Sequence, residues 1–294
     1  MRIFVTGASG WIGSAVVPEL LNAGHHVIGL ARSESSAAAI EALGAEVHQG
    51  SIDEPETLHS GAAASDGVVH LAYNHDFSRM DEAARTDRAA IDAIGSALAG
   101  TNRPFLIASG LLGLATGRPG TEHDAPAGGH PRIANAAAAL SYVDQGVRAL
   151  IMRFAPSVHG DGDHGFVATL VDVARERGVS AYIEDGSSRW PAVHRADAAT
   201  LVRLALEDAP AGSALHAAAE EGVPSRDIAE AIGRGLGLPV VSVPADRAAE
   251  HFGWIGMFFG ADCPASSVIT RELLGWKPTH STLIEDLDAG YYFA

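Results

Sequence analysis

Short apolar runs alternate with longer stretches whose apolar residues return every three or four positions. Ile3-Phe4-Val5, Val27 to Ala31, Glu46 to Gln49, Asp66 to Tyr73, Pro104 to Ser109 and Arg148 to Phe154 read as strands. Asp66 to Tyr73 is almost continuously apolar, the signature of a parallel strand buried on both faces. Between the strands, Ser14 to Asn22, the stretch opened by Pro55, and Asp76 to Leu98 carry helical periodicity. Strand and helix in strict alternation predict an α/β domain built on a parallel sheet. Further on, Phe166 to Arg177 is an amphipathic helix, and Arg195-Ala-Asp197 opens another through Leu206, with Asp197 as its cap. Leu215 to Ala219 is a strand, Ser225 caps a helix through Leu236, and Gly237 to Pro244 holds a short strand. A closing helix carries Leu283, Ile284 and Leu287.

The turn after the first strand carries the first chemistry. Gly7, Gly10 and Gly13 stand three apart, directly before the helix at Ser14. A turn without Cβ atoms lets the backbone approach a pyrophosphate, and the helix N-terminus offers it free N–H groups and partial positive charge. Strand, glycine turn and helix together make a dinucleotide site, with Gly7, Ser9, Gly10, Trp11, Ile12 and Gly13 as its contacts. About twenty residues on, an acid would bind a ribose 2′-hydroxyl; Ala31, Arg32 and Ser33 stand there instead. Arginine suits a 2′-phosphate, so Arg32 and Ser33 favour NADP(H) over NAD(H). The alternative leaves Arg32 solvated and gives the acid's role to Glu34.

At 294 residues the chain has room for one large domain with a smaller lobe. The single cysteine, Cys263, excludes an intramolecular disulfide framework. No apolar run reaches membrane-span length, and no leader is visible, so a cytoplasmic protein that engages no membrane is expected. A net charge of −16 disfavours nucleic acid as a partner without choosing a substrate; a small-molecule substrate is expected. Asp161, Asp163 and His164 lie in a glycine-rich rim, where aspartate serves the turn itself, so no metal is assigned.

Thr6-Gly7-x-x-Gly10-x-x-Gly13 at the N-terminus resembles the short-chain dehydrogenase/reductase superfamily in its extended, epimerase-like form. The likeness is specific at residues 6–13 and extends in weaker form to Leu274-Gly-Trp-Lys-Pro278. It implies a Rossmann-type doubly wound sheet over 1–155 and a smaller substrate-binding lobe over 156–294, with about 190–218 returning to the sheet. It implies a homodimer through the helix at 76–98. It also implies that Asp53 contacts adenine, with capping of the Pro55 helix as its structural role. By the same likeness Leu71 and Ala72 line the nicotinamide ribose, and Pro156, Ser157 and Val158 border the nicotinamide. Ser109 matches the family's catalytic serine, whose hydroxyl holds a carbonyl oxygen.

One departure is decisive for mechanism. The family expects Tyr-x-x-x-Lys after the loop at 110–131, the tyrosine donating a proton and the lysine lowering its pKa. Gly129-His-Pro-Arg-Ile-Ala-Asn-Ala136 stands there, and the one lysine, Lys277, follows Leu273 by four residues. That pair therefore occurs nowhere in this sequence. Arg132 is a candidate to bind the ribose or polarise an acceptor, and His159 and Tyr73 are candidate proton donors; each also has an ordinary packed or solvated reading. Water is the fourth source. Tyr73, Leu111, His159, Trp190 and His194 are the candidate substrate pocket, with core packing the competing reading for Trp190. The expected function is NADPH-dependent hydride transfer to a small, fairly apolar carbonyl or imine. A sugar-nucleotide epimerase or dehydratase, and a non-catalytic NADP(H) sensor, are the alternatives.

Overall fold

The computed structural model describes residues 1–74, 79–127 and 131–294. The expected helix start at Asp76 and the Gly129-His130 stretch lie outside the described residues.

Seven strands form one parallel sheet. They are β1 (Arg2–Thr6), β2 (His26–Ala31), β3 (Glu46–Gln49), β4 (Gly67–His70), β5 (Pro104–Gly110), β6 (Arg148–Phe154) and β10 (Ala214–Ala217). Three more strands, β7 (Ser157–His159), β8 (Ser180–Ile183) and β9 (Arg189–His194), lie between β6 and β10 in the chain, and β11 (Glu220–Pro224) and β12 (Val240–Val243) follow. The large sheet runs β10-β6-β5-β4-β1-β2-β3, with every adjacent pair parallel. Strand order reverses between β1 and β4, and in such sheets ligands bind at the carboxyl ends beside that reversal.

Both faces of the sheet are covered, which is why its strands lack polar alternation. Ile3 and Val5 point into one core layer and Phe4 into the other, all fully buried. Burying Phe4 contributes roughly 1.5–3 kcal/mol. One face packs α1 (Gly13–Asn22), α2 (Glu34–Ala42) and, from later in the chain, α7 (Arg195–Asp208). The other packs α3 (Pro55–Ala63), α4 (Met80–Leu98) and α5 (Pro131–Ser141).

The remaining chain forms a second core around α6 (Phe166–Arg177), α8 (Ser225–Leu236), α9 (Ala248–Phe252), α10 (Gly256–Phe259) and α12 (Leu283–Asp288). Two small sheets serve it, β11-β9-β7 and β12-β8. The last helix to name, α11 (Val268–Leu274), lies against β10 at the edge of the large sheet. After residue 194 the chain crosses back, laying α7 on α1 and adding β10 beside β6.

Three expected caps are corrected. Glu54, not Asp53, precedes α3, and no side chain caps it; Asp53 instead accepts from Ser51 Oγ at 3.1 Å. His194 caps α7, its Nδ1 accepting from Ala196 N at 3.2 Å. Asp197 clamps another segment, accepting from the N–H groups of Thr279 and His280 at 3.0 Å each. Pro224 holds the cap position of α8, and Ser225 is inside the helix, its hydroxyl 3.0 Å from that of Ser188.

Candidate active site

The glycine turn is built for close approach. Gly7 adopts φ +70°, which a side chain would strain, and a Cβ there would lie 2.8 Å from Ala72 N. A Cβ on Gly13 would lie 2.0 Å from Gly7 O. These two glycines press β1, the head of α1 and the chain leaving β4 together at the strand-order reversal. Ile12 precedes α1 without any side-chain cap; behind it Ser14 N donates to Gly10 O at 2.8 Å, and Ala15 N and Val16 N to Ile12 O at 3.1 and 3.0 Å, which fixes the head of the helix against the turn. The cradle thus fits a dinucleotide pyrophosphate. Ser9 and Gly10 are exposed beside it.

Trp11 fixes the turn to the second lobe. Its Nε1 donates to Val158 O at 2.7 Å, and the Arg195 guanidinium covers its ring at 4.1 Å. His164 meets the same ring edge-on at 5.4 Å. Pro156, Ser157 and Val158 therefore stand within reach of the turn. Ser157 Oγ is fully buried with no hydrogen-bond partner among the described residues. A buried hydroxyl in that condition fits a site whose polar partner arrives with a ligand.

Arg32 is exposed at the end of β2, and Ser33 spends its hydroxyl capping α2, accepting from Ser36 N at 3.2 Å. Asp53 is exposed near the head of α3.

At the carboxyl ends of β4 and β5, the α4/α5 face carries a polar group of its own. Alternation along β5 puts Ser109 on the same face as Phe105 and Ile107, which pack in the α4/α5 layer. Arg132, in the first turn of α5, holds its guanidinium 4.1 Å from the centre of the Tyr73 ring. Burial pushes the Tyr73 phenol above the ordinary tyrosine value; Arg132 opposes that and Asp87 adds to it. Burial lowers Arg132, against the pull of Asp87 and Tyr73.

Beneath them lies a buried chain of polar groups. Thr6 Oγ1 is 2.7 Å from His70 Nδ1 and accepts from Ala72 N at 3.2 Å. His70 Nε2 is 3.2 Å from Asp87 Oδ1, and Asn135 Nδ2 donates to Asp87 Oδ2 at 2.7 Å. Burial works to raise the Asp87 carboxyl, but its contacts with His70, then Asn135 and Arg132, hold it below its usual value. Sequence reasoning missed Asp87, although a signal exists. It lies four residues from both Ala83 and Ile91, so it puts a carboxylate in phase with the apolar stripe of α4.

The other candidates are held by packing of their own. His159 is 1% exposed, with Nδ1 2.6 Å from Asp286 Oδ2, so α12 closes over it. His194 meets the His159 ring edge-on at 5.6 Å and stacks on His280 at 4.7 Å. Burial lowers the His194 imidazole. Trp190 is inside the second core, its Nε1 donating to Phe258 O at 3.0 Å. Leu111 is buried in the α1/α7 layer, whereas the next residue, Leu112, packs on the second core.

The loop after β5 is tied down at its far end. Gly120 N donates to Pro264 O and Ser266 N to Gly120 O, both at 2.8 Å. Glu122 Oε1 accepts from Thr270 N at 2.8 Å and from its hydroxyl at 2.7 Å. Nearby, Arg153 Nη1 is 3.1 Å from His216 Nε2, and His216 Nδ1 is 2.7 Å from Ser266 O. No group of three or more His, Cys, Asp or Glu suited to a metal occurs among the described residues.

Comparison with known proteins places this geometry in context. Residues 3–218 match the family described as NAD dependent epimerase/dehydratase. An uncharacterized protein of Schizosaccharomyces pombe is 50% identical, with 100% of each chain covered. The 2′-dehydrokanamycin reductase of Streptomyces kanamyceticus is 30% identical over 85% of this chain and 72% of its own. Among solved structures, the UDP-glucose 4-epimerase of Thermotoga maritima superposes with TM-score 0.78 at 20% identity, covering 100% of this chain and 98% of its own. That last likeness is one of fold.

Proposed function

The chain belongs to the NAD dependent epimerase/dehydratase family, and from that premise we propose that it is an NADPH-dependent oxidoreductase acting on a small, fairly apolar carbonyl or imine compound. The observation that carries this reading is the Arg132 guanidinium over the Tyr73 ring, 4.1 Å from its centre, at the sheet edge that also presents Ser109. A relative at 30% identity whose name is that of a reductase supports the same direction. When bound, the nicotinamide supplies hydride.

The chain's own residues supply the rest. Gly7, Gly10 and Gly13 with the head of α1 hold the pyrophosphate, flanked by Ser9, Trp11 and Ile12. Arg32 takes the 2′-phosphate, Asp53 the adenine, and Leu71 and Ala72 the nicotinamide ribose. Pro156, Ser157 and Val158 border the nicotinamide. Ser109 donates its hydroxyl to the acceptor oxygen and stabilises the charge that grows there. Tyr73 is the proton donor. Arg132 replaces the missing lysine as the fixed positive charge that makes the phenol a better acid. His159, closed under α12, sets the shape of the lobe beside β7.

The test follows NADPH and NADH consumption against a panel of aldehydes, ketones and cyclic imines. We expect consumption of NADPH with at least one acceptor, a preference over NADH that Arg32→Ala abolishes, and a fall in kcat of about 10²–10⁴ in Tyr73→Phe. Cofactor binding without consumption of either nucleotide would make the chain a sensor. Product isomerisation without net cofactor use would make it an epimerase. Either result overturns the reading.

A further inference from the structure

We propose that Asp87 is a positioning residue for the Tyr73–Arg132 pair: with His70 and Asn135 it forms a buried anionic anchor that sets where the guanidinium stands over the phenol. This rests on the reading of Tyr73 as proton donor.

The anchor reaches all three elements that meet at the site. Through Asn135 it is bonded to α5, three residues after Arg132 and so on a neighbouring part of the helix surface. Through His70 it is bonded to β4, three residues before Tyr73. Through Thr6 it reaches the last residue of β1, directly before the glycine turn.

The hydrogen-bond directions close without an extra proton. Ala72 N–H donates to Thr6 Oγ1, which leaves the threonine hydroxyl proton for His70 Nδ1. His70 then carries its proton on Nε2 and donates it to Asp87 Oδ1. Asn135 Nδ2 takes the second carboxylate oxygen and also donates to Ala84 O at 2.8 Å.

Stability alone would not select this arrangement. Asp87 is 8% exposed on a helix face otherwise made of Ala83, Ala84, Ala90, Ile91, Ile94, Gly95 and Leu98. Burying a charge there costs free energy that a well-packed apolar residue would not incur. What the carboxylate adds is a defined orientation and a counter-charge for a buried guanidinium. Among the described residues, the charged groups that act on the phenol are Arg132 from α5 and Asp87 from α4, with His70 of β4 behind Asp87.

The two charges act on Tyr73 with opposite sign, and this separates positioning from packing. Full-length protein carrying 3,5-difluorotyrosine in place of Tyr73 lets the phenol be titrated by ¹⁹F NMR, without substrate or cofactor. Asp87→Asn is expected to move that titration to lower pH by roughly half a unit to one unit, since a nearby negative charge has gone. Arg132→Gln is expected to move it to higher pH by a similar amount. A shift on Arg132→Gln that is as large in the folded Asp87→Asn background as in the wild type overturns the proposal, because the guanidinium then stands over the phenol without the anchor; a clearly smaller shift in that background supports it.

Should Asp87→Asn fail to fold, Asp87→Glu keeps the charge and displaces the carboxylate by one methylene. A fall in kcat of about tenfold at unchanged NADPH Kd then supports the anchor, and unchanged kcat overturns it. If wild-type protein reduces no carbonyl or imine, the functional reading fails while the titration still judges the anchor.

Discussion

Single residues set the tolerances of the cofactor turn, and they differ between glycines that look equivalent in the sequence. A Cβ on Gly13 would collide with Gly7 O at 2.0 Å, whereas on Gly10 it would approach the same oxygen only to 3.2 Å. Gly13→Ala is therefore expected to lose about 1–3 kcal/mol of stability, because backbone rather than a side chain must give way. It is also expected to weaken NADPH binding at least tenfold, while Gly10→Ala stays folded with a smaller loss. Thermal melts and NADPH fluorescence titrations of the two variants decide this; equal effects would defeat the steric argument. Three-residue spacing before a helix was enough to locate the turn. The tight spot within it was not legible, because it depends on how closely Gly7 O sits beneath α1.

At the level of elements, the edge strand β10 and helix α11 share an acid-sensitive joint. Burial pushes the His216 imidazole down to about 4, against the pull of the Glu122 carboxylate and the bond to Ser266 O; the Arg153 charge pushes the same way as burial. The folded value lies below the unfolded one, about 6.5, so the unfolded chain binds the proton first as pH falls. The contribution is complete above about 6.5 and is lost progressively down to about 4. Urea unfolding is expected to show stability falling by up to about 3 kcal/mol across that window, and His216→Gln to flatten the slope. The same slope in the variant would remove His216 as the cause. The elements themselves were largely legible: β3 and α6 have the bounds their periodicity gives, and α8 ends where expected but begins one residue early. Pairings across the chain were not. His159 and Asp286 stand 127 positions apart, and no local pattern marks a carboxylate in α12 as the partner of a histidine in β7. The Asp87 signal was readable, but only by asking why a charge repeats with an apolar stripe.

For the whole molecule, the decisive fact is that the sheet is completed late. β6 gains its second neighbour only when β10 arrives, some sixty residues on, and α7 covers the face beside α1 only then. A fragment of residues 1–155 would leave β6 as an open edge over uncovered apolar surface, an arrangement that invites strand pairing between molecules. It is expected to aggregate, whereas residues 1–218 restore the edge and the α7 layer and are expected to remain more soluble. Sedimentation of the two fragments after expression would show it, and a monodisperse, folded 1–155 would overturn it. Trp11 carries a related consequence into mutational tolerance. Between the glycines of such a turn, a side chain pointing outward is ordinarily free to vary, since only backbone meets the pyrophosphate. Here that position is tied at once to Val158 O and to the Arg195 guanidinium. The most permissive-looking letter of the motif is thus bound to two distant positions, and since Val158 offers only its backbone carbonyl, a library randomised at 11 and 195 together should return co-selected pairs rather than independent choices.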